Sequence, residues 1–67
     1  MTITLNGEPY VIDDGPITIV DLLARLEIDP RRVAVERNVV IVKRDSYATT
    51  KIEEGDEIEV VNFVGGG

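Results

Sequence analysis

The chain has 67 residues, enough for one domain with one small core, and its 13 acidic against 7 basic side chains give a net charge of −6. Such a chain repels phosphate backbones, which excludes nucleic acid as the expected ligand and favours partners with basic surfaces. Cys and His are absent, so we expect no disulfide, no metal site and no catalytic site built within the chain.

The first predicted element is a β-hairpin. The apolar residues of "MTITL" alternate with threonines, which is the period of a half-buried strand. Asn6 and Gly7 then predict a type I′ turn, after which the chain returns through residues 10–12. Pro9 has no amide hydrogen, so we expect it near the start of this second strand with its nitrogen facing outward.

A short amphipathic helix is predicted after the loop signal "DDGP". Its apolar residues stand at i, i+3, i+4 and i+7 and share one face: Ile19, Leu22, Leu23 and Leu26. Thr18 is positioned to cap the helix, with Asp21 in the acidic position of a capping box. The helix should end before Pro30, whose ring disfavours helical geometry at the residue before it.

The second half of the chain predicts three strands. "VAVER" places Val33 and Val35 inward, and "VVIV" gives a short strand around residues 40–42. "RDSY" is typical of a single helical turn, and "EEGD" of a turn before the last strand, "EIEVVN". In that strand Ile58 and Val60 face inward.

This order of elements predicts an α+β domain in which one helix packs across a mixed sheet of four to five strands. If the last strand lies in the middle beside the first, the arrangement is the ubiquitin-like β-grasp. We expect residues 1–62 to form this domain and residues 63–67 to form a flexible C-terminal tail ending in Gly-Gly.

The end of the sequence, "VNFVGGG", adds nothing to a core, because glycine has no side chain to pack and loses the most entropy on ordering. One interpretation is an inert, frayed or truncated end. The other is that a partner requires a thin, flexible strand with an unobstructed carboxylate.

A contact surface is predicted near this tail. Val61 shares the outward parity of Glu57 and Glu59, and Phe63 is next in that series. An apolar pair bordered by acidic residues is typical of a protein interface. The expected contact residues are Glu57, Glu59, Val61, Phe63 and Val64, with Glu53 and Glu54 nearby. The alternative is that the acidic side chains only keep a small domain soluble.

Four stretches together carry a family resemblance. They are "LNGE" at residues 5–8, "TIVDLLARL" at 18–26, "VAVERN" at 33–38 and "EEGDEIEVVNFVGGG" at 53–67. In this combination the chain resembles the ThiS family, the sulfur carriers of thiamine biosynthesis. The resemblance covers nearly the whole chain, and the terminal Gly66-Gly67 after a final strand is its most specific part.

The resemblance implies a carrier protein and not an enzyme. In this family a ThiF-type adenylyltransferase uses ATP and Mg²⁺ to convert the terminal carboxylate, here that of Gly67, to an acyl-adenylate. A persulfide sulfur donor then displaces AMP to leave a thiocarboxylate, and the thiazole synthase ThiG accepts the sulfur. The chain itself is expected to bind no cofactor, while Gly65 and Gly66 let its backbone pass through a narrow channel in each partner.

Two alternatives remain open from the sequence. One is a different sulfur carrier of the same fold, such as the small subunit of molybdopterin synthase or a tRNA-thiolation carrier. The other is a ubiquitin-like modifier or a plain interaction domain. No apolar run approaches the roughly 18 residues that span a bilayer, and no signal peptide is evident. We therefore expect a cytoplasmic protein with no membrane partner, monomeric when alone.

Overall fold

The computed structural model describes residues 1–62; the predicted tail, residues 63–67, lies outside them. Five strands and one α-helix make up the described part: β1 (Thr2–Leu5), β2 (Glu8–Val11), α1 (Ile19–Arg25), β3 (Val33–Arg37), β4 (Val40–Val42) and β5 (Glu57–Asn62). Two single 3₁₀ turns, Pro30–Arg32 and Arg44–Ser46, complete it. The turn at Arg44–Ser46 confirms the prediction for "RDSY", whereas that at Pro30–Arg32 was not predicted.

The β1–β2 hairpin has the predicted turn. Asn6 and Gly7 have φ angles of 50° and 83°, both in the left-handed region that a type I′ turn requires. Pro9 lies opposite Thr4 on β2, which is an edge strand of the sheet. An edge strand tolerates proline because one of its sides has no neighbouring strand to bond.

The helix begins at a capping box, as predicted. The backbone N–H of Asp21 donates to Thr18 Oγ1 at 3.2 Å, and the backbone N–H of Thr18 donates to Asp21 Oδ2 at 3.1 Å. Two amide groups at the start of α1 that would otherwise lack partners are thereby satisfied. The chain leaves the helix at Glu27, which has a φ of 58°, so the helix ends before Pro30.

The strand order is β2-β1-β5-β3-β4, which is a mixed sheet. The last strand, β5, lies in the middle, parallel to β1 and antiparallel to β3. This is the predicted β-grasp arrangement. It places the strand that precedes residues 63–67 at the centre of the molecule.

The core fills the space between α1 and one face of the sheet. Side chains from the helix and from β1, β3 and β5 are buried there together: Ile3, Ile19, Leu22, Leu23, Val33, Val35 and Ile58. Tyr47 and Ile52, from the segment between β4 and β5, close one side. No helix within residues 1–62 is both long and apolar enough to cross a membrane.

Candidate docking face

The outward side of β5 carries three of the predicted contact residues. Glu57, Glu59 and Val61 are exposed, while Ile58 between them is fully buried. Val61 keeps 57% of its surface accessible although it lies on the central strand. The alternation read from the sequence is therefore confirmed for the described part of the strand.

A further carboxylate, which the sequence interpretation missed, joins this side. Glu36 on β3 lies directly opposite Glu59 on β5, and Ala34 lies opposite Val61. Glu36 could have been found, because it alternates with the inward residues Val33 and Val35. We call Glu36, Glu57 and Glu59 the acidic face.

The acidic face is not neutralised within residues 1–62. None of its three carboxylates takes part in the ion pairs of that part of the chain, which involve Asp14, Asp29 and Asp56. Like charges directly opposite each other in neighbouring strands are destabilising. The pair formed by Glu36 and Glu59 therefore lowers the stability of the free domain and creates a negative field over the centre of the sheet.

Asp56 has a different role from the acidic residues around it in sequence. It is 7% exposed and accepts three hydrogen bonds: from Arg37 Nε at 2.7 Å, Glu53 N at 2.8 Å and Asn38 Nδ2 at 3.1 Å. Burial raises the pKa of Asp56, but these hydrogen bonds together outweigh burial and hold the pKa below its ordinary value. The same pairing raises the pKa of Arg37. Asp56 thus ties β3 to the start of β5.

Two asparagines fix the position of β5. Asn38 Oδ1 accepts from the backbone N–H of Glu57 at 2.9 Å, and Asn6 Oδ1 accepts from the backbone N–H of Val60 at 2.7 Å. Both asparagines lie in the hairpin turns, with positive φ angles. The sequence interpretation recognised Asn6 as a turn residue but missed these contacts, which determine where the strand before residues 63–67 begins and how it runs.

Several basic residues lie in the segments next to the end of β5. Asn62 lies opposite Val33, which directly follows Arg31 and Arg32. Arg44 reaches the same region, since its Nη2 donates to the carbonyl oxygen of Arg31 at 3.5 Å. The hydrogen bond from the Arg31 side chain lowers the pKa of Asp29 to about 2, so this carboxylate stays ionised beside the arginines. Together with Lys43 these arginines form what we call the basic end.

The basic end departs from the predicted pattern, which had acidic residues alone around the base of the tail. The acidic face covers the centre of the sheet, whereas basic residues lie in the segments next to the point at which the described chain ends. The remaining predicted residues lie outside the described part: the contacts Phe63 and Val64, the glycines Gly65 and Gly66, and the sulfur-carrying Gly67. They stay predictions.

The described part presents charged and apolar side chains around one central strand. Within residues 1–62, no group of three or more carboxylates converges where it could hold a metal ion. Charged and apolar side chains arranged around one central strand can instead orient a partner protein relative to residues 63–67.

Comparison with known proteins gives the family. The sequence profile of the ThiS family matches residues 3–67. The chain belongs to the ThiS family. The resemblance noted in the sequence is thereby confirmed.

Individual relatives support the same family assignment. The sulfur carrier protein ThiS of Bacillus subtilis is 40% identical over 63 residues, covering 94% of this chain and 96% of that protein. The crystal structure of the thiamine biosynthesis protein ThiS from Geobacter metallireducens superposes with a TM-score of 0.88 at 32% identity, covering 100% of both chains. The predicted fold class is thereby confirmed.

A longer relative is also similar. A thiazole synthase of Magnetococcus marinus is 48% identical over 67 residues, which is all of this chain but 20% of that protein. The chain thus spans about a fifth of the length of this relative. In that protein a ThiS-like segment and a much larger remainder share one polypeptide.

Proposed function

We propose that this chain carries sulfur on the carboxylate of Gly67, as a thiocarboxylate, for synthesis of the thiazole part of thiamine. The observation that carries the proposal is the match to the ThiS family, which extends through residue 67. A carboxylate is a poor electrophile until a good leaving group is attached, and this chain has neither Cys nor His to supply catalysis. Activation therefore falls to a partner.

Three partners follow from this chemistry. A ThiF-type adenylyltransferase uses ATP and Mg²⁺ to form the acyl-adenylate of Gly67, and a persulfide donor supplies the sulfur that displaces AMP. Thiazole synthase then receives the sulfur. Support for the last partner comes from two relatives named thiazole synthase, which contain segments 48% and 43% identical to this chain. Glycines at positions 65–67 would let the backbone enter a narrow channel, with no Cβ to obstruct attack on the terminal carbonyl.

The acidic face is suited to the first encounter with such partners. Three carboxylates on one side of the sheet, without ion pairs within residues 1–62, attract a basic surface and raise the association rate, most strongly at low salt. Val61, between the acidic face and the basic end, offers an apolar contact within the same surface. The surface and residues 63–67 would then act in sequence, with docking first and entry of the tail second.

The direct test follows the mass of the intact protein. The chain is incubated with the adenylyltransferase of the same organism, ATP, Mg²⁺ and a persulfide source, and then weighed. We expect the replacement of one oxygen by sulfur, and the mass of the untreated protein shows whether Gly67 is its last residue. Attachment to a lysine of another protein would indicate a ubiquitin-like modifier. Acceptance of the sulfur by molybdopterin synthase or a tRNA-thiolating enzyme, and not by thiazole synthase, would indicate another carrier.

Variants of the terminus sharpen this test. One residue added after Gly67 should abolish thiolation, because the activated carbonyl would move out of register. Gly66→Ala should slow thiolation, since misplacement at a reacting centre can reduce a rate on the order of 10²-fold. Equal urea midpoints would show that each variant is folded. Thiolation of the extended chain at the native rate would contradict the proposal.

A further inference from the structure

The two edges of the sheet differ in how well they are protected against pairing with another strand. The β2 edge carries Glu8 and Pro9, and charge and proline are the usual devices that block edge pairing. The other edge, β4, consists of Val40, Ile41 and Val42 alone. Val40 and Ile41 are 67% and 71% exposed. An apolar edge strand without protection is a template for the addition of a further strand.

The backbone of β4 is oriented for such an addition. Val40 pairs with Arg37 across a two-residue turn, and Ile41 pairs with Glu36. The pair that closes a two-residue turn is hydrogen-bonded, and bonded and non-bonded pairs then alternate along an antiparallel ladder. The Val40 pair is therefore bonded and the Ile41 pair is not. It follows that the N–H and C=O of Ile41 point away from β3. Within residues 1–62 no group from outside the sheet bonds to them. One donor and one acceptor are therefore presented at this edge.

The turn before β4 is strained. Asn38 and Val39 have φ angles of 52° and 71°, and a β-branched residue in this left-handed region is unfavourable. Contacts of Asn38 with Asp56 and Glu57 hold the turn in place. Val39 is 81% exposed, so packing within the described chain does not compensate for the strain. Strain of this kind is concentrated at functional positions.

Two basic residues directly follow the β4 edge strand. Lys43 and Arg44 directly follow β4, and neither takes part in the ion pairs of residues 1–62. An open groove of about 550 Å³ runs beside the strand. All three strand residues line it, together with polar side chains from neighbouring segments: Arg37, Asn38, Lys43, Ser46 and Thr50. In a chain of net charge −6, the groove combines an apolar strand with a cation at each end. Arg37 is paired with Asp56, whereas Lys43 takes part in no ion pair within residues 1–62. Its complement is an extended apolar segment that bears carboxylates.

We propose that the β4 edge, defined as Val39, Val40, Ile41, Lys43 and Arg44, receives such a segment of thiazole synthase as a sixth strand of the sheet. The inference rests on the proposed function for the identity of the partner. A second copy of this chain fits less well, because it would bring the cations of both copies to one edge and join two molecules of net charge −6. Val39 would enter an apolar pocket of the synthase, where the strain of its turn is offset by burial.

The first experiment measures binding of the full chain to purified thiazole synthase of the same organism by calorimetry. Ile41→Lys places a charge on the apolar edge and should weaken binding by roughly tenfold or more. Val11→Lys is the matched control, since Val11 is 62% exposed on the opposite edge strand. Its affinity for the synthase should stay within about twofold of the wild-type value, because a substitution outside an interface has little effect on binding. Equal affinity for both variants would overturn the proposal.

The second experiment uses the backbone. Hydrogen exchange at the amide of Ile41 should be fast in the free protein and slow in the complex, because the added strand supplies its missing acceptor. Unchanged exchange on saturation with the synthase would also overturn the proposal. Val39→Gly supplies a second signature, a higher melting temperature together with weaker binding. A purely structural role of the turn would give only the first of these two effects.

These results separate the docking edge from the proposed function. If the wild-type chain is thiolated and delivers sulfur, yet Ile41→Lys binds the synthase normally, only the docking edge is wrong. If the wild-type chain accepts no sulfur, the proposed function is wrong whatever the variants do. Lack of any binding between the wild-type chain and the synthase would overturn the docking edge independently of thiolation.

Discussion

At the scale of single residues, Asp56 illustrates the limit of reading charge from sequence. "EEGDEIEV" presents five acidic residues in a row of eight, and by pattern all five belong to the surface. The structure buries only Asp56, because Arg37 and Asn38 from another strand and turn converge on it. Arg37 and Asn38 reach Asp56 only because β3 pairs with β5, and this pairing cannot be read from the sequence around Asp56.

We expect Asp56→Asn to lower the free energy of unfolding by about 3 kcal/mol, since it leaves Arg37 without its partner in a largely buried site. Urea unfolding at neutral pH would measure this. Glu27→Gln is the matched control, because it removes an exposed carboxylate that pairs with no cation in residues 1–62. The loss should also depend on pH. The pKa of Asp56 is lowered on folding, so its stabilisation is complete above the ordinary pKa of 3.8 and disappears as the pH falls through the lower folded value.

The variant and the wild-type protein should therefore approach equal stability in acid. A constant difference between them from neutral pH down to full protonation would show that the charge of Asp56 does not carry the effect. Packing of the side chain would then be the cause.

At the scale of elements, most of the fold could be predicted. The helix followed from its apolar spacing and from Thr18 and Asp21, and the hairpin from Asn6 and Gly7, because these signals act over a few residues. The 3₁₀ turn at Pro30–Arg32 was missed although its signal is local: Asp29 Oδ1 accepts from the backbone N–H of Arg31 at 2.9 Å, ahead of a proline at the first turn position. This signal was taken only as the end of the helix.

The capping box gives a prediction at this scale. Thr18→Ala should lower the free energy of unfolding by about 1 kcal/mol, because the amide of Asp21 loses its acceptor at the start of a seven-residue helix. Chemical denaturation of the single variants and of the Thr18→Ala, Asp21→Ala double variant would form a mutant cycle. We expect the two losses to be less than additive, since each hydrogen bond of the box supports the other. Strict additivity would mean that the two bonds act independently.

At the scale of the whole molecule, the distribution of charge was predicted only in part. The outward position of Glu57 and Glu59 could be read from alternation within one strand. Glu36 and the basic end could not, because they join the surface through the pairing of β3 with β5 and through the contact between Arg44 and Arg31. The residues predicted to carry the chemistry, Gly65 to Gly67, came from the family resemblance and not from the fold.

The double variant Glu57→Lys, Glu59→Lys should slow association with the adenylyltransferase and weaken its salt dependence. It should also stabilise the free domain by about 0.5 kcal/mol, since residue 59 would then face Glu36 with opposite charge. Stopped-flow mixing at several salt concentrations and urea unfolding would measure the two effects. The control is Glu8→Lys, Glu27→Lys, which makes the same change in net charge away from the acidic face. Equal slowing by both double variants would assign the effect to net charge and not to this face.

The central place of β5 also determines how the domain responds to tension. Residues 63–67 follow β5 in the chain, so a pull on them acts along a strand that is paired on both sides, with β1 and over five residue pairs with β3. Force along the axis of such a strand is shared by all of its hydrogen bonds at once, whereas force across the strand would break them one at a time. The domain should therefore resist unfolding when a partner pulls the last residues into a channel and releases them. The domain should stay folded through repeated cycles of insertion and withdrawal.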